Sequence, residues 1–161
     1  MPMLVILPSP KSREGFGEVA SLFRAVAKAE EIHARNHSDV IRKVGATQAV
    51  NLEPIKAKST HENLKTAIAV EKYERDISYP EFVELATHKK ATAAIRTFRF
   101  ALKVEAVHAA LYQDALDNLQ KRTGTNHTYY VCPDCGNTLE EVNIVKCLVC
   151  GHSKRGFIAV S

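Results

Sequence analysis

Phe100-Ala101-Leu102-Lys103-Val104-Glu105-Ala106-Val107-His108-Ala109-Ala110-Leu111 is apolar at helical spacing, yet a carboxylate and an imidazole sit inside its oily run. The two are three residues apart, so they share one helix face. Burying an ionised carboxylate costs several kcal/mol unless a partner compensates it. A divalent metal is such a partner, and it asks for oxygen and imidazole donors of this kind.

Upstream, the same pattern occurs twice more. Glu30 with His33 lies in a segment from about Glu14 to Val44, where Val19, Leu22, Phe23, Val26, Ile32, Val40 and Ile41 recur at helical spacing and Gly45 ends the run. Glu71 with Glu74 follows Ala67-Ile68-Ala69-Val70. That second helix is predicted to start at Ser59, which has capping-box spacing to Glu62, and to kink at Tyr79-Pro80 before continuing to about Ala86. A polar turn, Thr87-His88-Lys89-Lys90, then leads into the helix quoted above, which should end near Gly124. Any one polar pair would ordinarily read as a solvated face, because glutamate is seldom buried. Three such pairs in apolar settings read better together as metal ligands.

Register points the same way. If the second and third helices form an antiparallel hairpin turning at Lys89, Glu71 lies 18 residues before the turn and Glu105 lies 16 after it. Their levels then differ by roughly 3 Å, and facing carboxylate pairs are how helical bundles build two-metal sites. His37 shares the Glu30 face, although a solvated helix histidine is the commoner outcome. Tyr79 is read as sharing a face with Glu74, and Tyr112 with His108. Either could hydrogen-bond a ligating carboxylate or simply pack in the bundle.

All four cysteines fall near the C-terminus, in Cys132-Pro133-Asp134-Cys135-Gly136 and Cys147-Leu148-Val149-Cys150-Gly151. Two C-x-x-C-G knuckles facing each other make a closed tetrahedral sulfur site for zinc or a single iron. Two disulfides are the weaker reading, because paired C-x-x-C is the metal signature and nothing suggests an oxidising compartment. Around the cysteines, Tyr130, Val131, Val142, Ile144, Val145, Phe157 and Ile158 suggest short strands.

The 161 residues suit one main domain and a small module: an irregular, proline-bearing lead-in over 1–13, a helical domain over 14–124 and a cysteine domain over 127–161. The net charge of +4 is spread along the chain without a basic, aromatic-interleaved block, which argues against nucleic-acid binding. No apolar run has membrane-spanning length. The short apolar start Met1-Pro2-Met3-Leu4-Val5-Ile6-Leu7-Pro8 lacks the basic region and cleavage site of a signal peptide, so the expected location is cytoplasmic.

Together these residues resemble a rubrerythrin, a ferritin-like di-iron bundle followed by a rubredoxin-like domain. Leu22-Phe23-Arg24-Ala25 through Ala29-Glu30-Glu31-Ile32-His33-Ala34 resembles the family's second bundle helix. Glu62-Asn63-Leu64-Lys65-Thr66-Ala67-Ile68, with Glu71-Lys72-Tyr73-Glu74 and Tyr79-Pro80-Glu81-Phe82, resembles its third. Phe98 to Ala109 resembles its fourth, and Tyr130-Val131-Cys132-Pro133-Asp134-Cys135-Gly136 resembles the start of its iron–sulfur module.

The resemblance implies that Glu30, His33, Glu71, Glu74, Glu105 and His108 ligate two irons, with Tyr79 beside them. Cys132, Cys135, Cys147 and Cys150 would hold a further iron, or zinc. It implies reduction of hydrogen peroxide to water with electrons from the tetrathiolate iron, re-supplied by a donor such as a rubredoxin or its reductase. It also implies a homodimer in which one subunit's cysteine module serves another's di-iron site. Two other readings stand beside this one: an electron-transfer or metal-binding protein without peroxidase turnover, and a helical interaction protein with a structural zinc.

One departure is plain. Family members open with another long helix that carries a further ligating glutamate, in a run resembling Gly-Glu-Ser-Gln-Ala, and nothing in 1–13 fits it. The expected bundle therefore has three recognisable helices, with the first of the usual four missing. A shortened or misassigned start, a partner subunit covering the open face, or a substitute ligand such as Glu31 or His37 would each account for it. Glu31 points roughly 100° away from Glu30 and makes a poor ligand.

Overall fold

A computed structural model of the chain describes residues 14–46 and 58–161. The lead-in over 1–13, the connection around Pro54 and the question of a first helix lie outside the described residues.

Helix α1 (Gly17–Lys43) buries Val19, Leu22, Phe23, Val26, Ala29 and Ile32, the stripe that spacings of three and four generate. It stops in a Schellman turn. Gly45 takes φ +73°, and the amides of Gly45 and Ala46 bond to the carbonyls of Arg42 and Ile41. Helix α2 (Thr60–Tyr73) starts at the expected capping box: the Ser59 hydroxyl accepts from the Glu62 amide, and the Glu62 carboxylate accepts from the Ser59 amide.

The break before Pro80 has a specific form. Residues Glu74–Ser78 make a π-helical turn, with the Tyr79 amide bonded to the Glu74 carbonyl, and helix α3 (Tyr79–His88) continues the rod. Proline has no N–H, and its ring crowds the carbonyl four residues back, so the wider turn absorbs what an α-turn could not. On an unbroken α-helix Tyr79 would lie about 140° round from Glu74; the extra residue cuts this to about 40°. The shared face expected from sequence depends on that turn.

A tight connection with Lys90 at φ 53° reverses the chain into helix α4 (Thr92–Asp117), antiparallel to the α2–α3 rod. Helix α4 ends earlier than expected, giving way to a short 3₁₀ turn, Leu119–Lys121. The described helices thus form three rods around a core that includes Leu22, Val26, Leu64, Ile68 and Tyr112.

Strands β1 (Tyr129–Val131), β2 (Thr138–Leu139) and β3 (Ile158–Val160) form an antiparallel sheet in the order β2-β1-β3. Tyr129 and Val131 are fully buried and join the helical core, so the sheet grows out of the bundle rather than hanging from it. Three α1 side chains fasten the first cysteine knuckle. His33, Arg35 and Asn36 face the carbonyls of Cys135, Pro133 and Asp134 at 3.0, 2.6 and 2.7 Å. Arg122 ties the other side, bonding to Glu18, Asp114 and Glu140. Among the described residues no helix is long and apolar enough to cross a membrane.

Candidate metal centres

Helices α1, α2 and α4 bring Glu30, His33, Glu71, Glu105 and His108 into one buried cluster, each less than a tenth exposed. The two histidines stand on opposite sides of Glu105, whose Oε1 is 3.1 Å from His33 Nδ1 and whose Oε2 is 3.0 Å from His108 Nδ1. Glu30 repeats the arrangement, with Oε2 3.5 Å from His33 and Oε1 3.7 Å from His108. Glu71 joins the His108 side at 3.6 Å. Two carboxylates that each offer one oxygen to each of two imidazoles describe a bridged, two-centre site.

The polar bookkeeping supports the same reading. Glu30 Oε1, His33 Nδ1, Glu71 Oε2 and Glu105 Oε1 are buried without a hydrogen-bond partner. His33 Nδ1 lies within ion-pair distance of Glu105 Oε1, but the two are misaligned for a hydrogen bond, as donors aimed at a shared third atom are. Buried orphans of this kind are costly, and a cation between them removes the cost. The donor set, carboxylate with imidazole, fits divalent iron.

Protonation follows from crowding. Burial, opposed by His108 and helped by Glu105 and Glu30, raises Glu71 to about 7. Burial and three neighbouring carboxylates push Glu74 to about 9. Burial opposes ionisation of His108, but Glu105 and Glu71 outweigh it and raise the imidazole to about 10. Burial likewise opposes Glu105, and the two histidines overcome it, holding this carboxyl well below its ordinary range.

The knuckle unit fixes both imidazoles. His33 Nε2 faces the Cys135 carbonyl, which can only accept, so this nitrogen carries the proton. The Thr138 hydroxyl donates to the Gly136 carbonyl at 3.0 Å and therefore accepts the Nε2–H of His108 at 3.2 Å. Both histidines then present Nδ1 to the cluster, the outer-shell control that metal-binding imidazoles require.

Above them, Cys132, Cys135 and Cys147 are buried, Cys150 is half-buried, and all four are free. Cys132 Sγ lies 3.5 Å from Cys150 Sγ, and Cys135 Sγ 3.6 Å from Cys147 Sγ. A disulfide needs about 2.05 Å, whereas sulfurs around a tetrahedral metal at about 2.3 Å stand roughly 3.75 Å apart. The four sulfurs fit one metal ion. The Cys135 thiol and nearby backbone amides pull Cys132 down to about 5, while Cys135 is pushed up by that neighbour. Burial raises Cys150 to about 12. Four thiolates this close need a cation before all can ionise.

The Rubrerythrin family profile matches residues 9–116. The chain belongs to the rubrerythrin family. Rubrerythrin-2 of Clostridium acetobutylicum is 35% identical over 146 residues, spanning 89% of this chain and 79% of that protein. Nigerythrin of Nitratidesulfovibrio vulgaris is 28% identical, over 91% of this chain and 72% of its own. The solved structure of mixed-valence nigerythrin superposes with a TM-score of 0.83 at 28% identity, covering 91% of this chain and 72% of that one. As a rubrerythrin the chain is an iron protein of an oxidoreductase family, built from a ferritin-like bundle and a rubredoxin-like knuckle unit.

Within this rubrerythrin, the candidates read from sequence take different positions. Glu74 is half-buried and stands outside the tight group of Glu30, Glu71, Glu105 and His108. Glu31 is exposed and paired with Lys28, so it does not join the cluster. His37 is neither a ligand of the cluster nor a solvated residue. Its Nε2 lies 3.3 Å from the Tyr79 hydroxyl and its Nδ1 3.1 Å from Thr97 Oγ1, and burial depresses it to about 4. Tyr79 is thus held from behind, while burial and the cluster carboxylates keep its hydroxyl protonated. Tyr112 packs on Phe23, ring centroids 5.0 Å apart.

Thr138 was not singled out from sequence. No local spacing marks a threonine 30 residues from His108 as its partner. The Cys135 carbonyl and His33 Nε2 meet within one chain.

Proposed function

We propose that this rubrerythrin reduces hydrogen peroxide to water. Glu30, His33, Glu71, Glu74, Glu105 and His108 would hold two irons, and Cys132, Cys135, Cys147 and Cys150 a third. Iron held by these residues would supply the electrons for cleaving the O–O bond, and iron at the four cysteines would be their source. The observation that carries this reading is the paired bridging of His33 and His108 by Glu30 and Glu105, directly beneath a sulfur site seated on His33.

The chain's own residues supply the rest. Glu105 and Glu30 set the spacing of the two metal positions. Thr138 and the Cys135 carbonyl hold the imidazoles so that Nδ1 faces inward. In the metal-free protein Glu71 and Glu74 are raised to about 7 and about 9, so loading this cluster with metal would displace their protons. The Cys135–His33 contact is the shortest polar link between the two centres among the described hydrogen bonds, and it suits electron delivery within one chain.

The donor is assigned as a rubredoxin or a similar small carrier, or its reductase. A homodimer is inferred because Tyr73, Ile77 and Leu85 stay exposed along the α2–α3 rod. Free cysteines suit a reducing compartment such as the cytoplasm.

Adding hydrogen peroxide to the reduced, iron-loaded protein tests the reading. Oxidation no faster than in a metal-free control would rule the activity out. Metal analysis separates it from electron transfer without turnover: about three irons per chain support the enzyme, and one metal at the cysteines alone supports the other reading.

A further inference from the structure

The two knuckles look alike in sequence but differ in surroundings. A Cβ built on Gly136 would sit 2.9 Å from His33 Nε2 and 3.2 Å from Ala29, whereas one on Gly151 would meet nothing within 4 Å. The first knuckle is closed against α1, and the second faces outward. Its Leu148, between Cys147 and Cys150, is 81% exposed, and Val145 is 76% exposed. Leu148 lies two residues from the half-buried Cys150.

Along the chain the charge of this unit is segregated. In the stretch 127–161 the acids Asp134, Glu140 and Glu141 all precede residue 142, and the bases Lys146, Lys154 and Arg155 all follow residue 145. Asp134 is paired with His152, and Glu140 with Arg122. Lys146, Lys154 and Arg155 are exposed, and none forms an ion pair among the described residues. Backbone pairing brings them together: the Lys154 amide bonds to the Val145 carbonyl, and Lys146 bridges to Ser153. The exposed Val145 and Leu148 therefore share the loop of the second knuckle with three exposed cations that form no ion pair among the described residues.

We propose that this face of the second knuckle is the docking surface for an acidic, one-electron carrier protein. This rests on the reading of the cysteine site as an electron carrier. One electron would pass from the carrier, which is oxidised by one electron, to the ferric tetrathiolate, which becomes ferrous; no bond forms and no proton crosses the interface. The three cations steer an acidic partner, and Leu148 supplies the dry contact. Electrons enter at the second knuckle and leave by the first.

Flavodoxin, an acidic carrier whose hydroquinone and semiquinone absorb apart from an iron tetrathiolate, is a suitable probe. In stopped flow its hydroquinone should bleach the tetrathiolate, faster at low salt. The triple variant K146E/K154E/R155E should slow this at least tenfold and remove the salt dependence, while excess dithionite still bleaches the centre completely. Binding is read separately on zinc-loaded protein. Oxidised flavodoxin should shift the amides of Val145 to Arg155 and leave those of Cys132 to Gly136 in place, and Leu148→Ser should weaken binding.

An unchanged bleaching rate in the triple variant overturns the proposal. So does a shift map centred elsewhere, or one reproduced by anionic lipid vesicles and not by flavodoxin. No peroxide enters either measurement. A centre that flavodoxin reduces but peroxide never reoxidises would sink the peroxidase reading and leave the docking surface standing.

Discussion

Thr138 accepts the Nε2–H of His108 across 3.2 Å, so a residue of the knuckle unit sets the tautomer of a histidine in the bundle. In the metal-free protein His108 Nδ1 is 3.0 Å from Glu105; a metal would take the place of that proton. Thr138→Val keeps the shape and removes the acceptor. Affinity of the bundle site for iron should fall about ten- to a hundredfold, read by chelator competition, and Thr138→Ser should restore it. Equal losses in both variants would show a packing effect instead.

Gly136 and Gly151 form a matched pair, with φ of +80° and +82°. Alanine at either position carries a left-handed backbone penalty of about 1 kcal/mol. Only Gly136→Ala also drives a methyl against His33 and Ala29. Both variants should keep their tetrathiolate colour. Only Gly136→Ala should slow reoxidation of that centre through the bundle, by about tenfold or more, because displaced groups lose rate steeply. Equal rates in the two variants would mean that the contact with α1 does not carry the electron.

Glu105 touches both histidines, so its loss should disable both metal positions at once. Glu105→Gln is expected to lower iron from about three to about one per chain. The tetrathiolate absorbance should persist. An intact count of three would assign the bridging role to Glu30 alone.

The metal-free protein should be most stable between about pH 5 and 6.5. Glu71 and Glu74 are raised from 4.5 to about 7 and about 9. His108 is raised from 6.5 to about 10, and His33 is also raised by Glu105 and Glu30 despite burial. Each binds protons more readily folded than unfolded. His37, depressed to about 4, and Cys132, drawn down to about 5, act the other way and offset them up to about pH 6.5. Stability therefore falls as pH rises from about 6.5 to 10. Glu105 acts oppositely: its contribution is present above 4.5 and is lost as pH falls below that. Thermal scans of apoprotein should show the midpoint dropping by several degrees between pH 5 and 9. Metal loading expels these protons, so the loaded protein should lose the slope and release protons on binding. A midpoint that rises with pH in the apoprotein would contradict these assignments.

Much of the architecture was legible because it rests on near neighbours. The Ser59–Glu62 cap, the stop at Gly45, the stripe from Val19 to Ile32 and the polar pairs at i, i+3 are properties of one helix turn. The hairpin register that levels Glu71 with Glu105 needed only residue counting. The paired knuckles of Cys132–Cys135 and Cys147–Cys150 were explicit in their spacing.

What the sequence alone determined, then, is the chemistry each element carries: buried carboxylates and imidazoles on helices, and four thiols on two turns. The tertiary structure decided how those groups address one another. Packing of β1 into the helical core seats the first knuckle on α1, which turns His33 toward Cys135 and His108 toward Thr138. It also leaves the second knuckle bare and draws His37 away from the cluster to Tyr79. These relations join residues between 30 and 102 positions apart. Contacts at such range depend on where whole rods and strands come to rest, and no periodicity within one element encodes that.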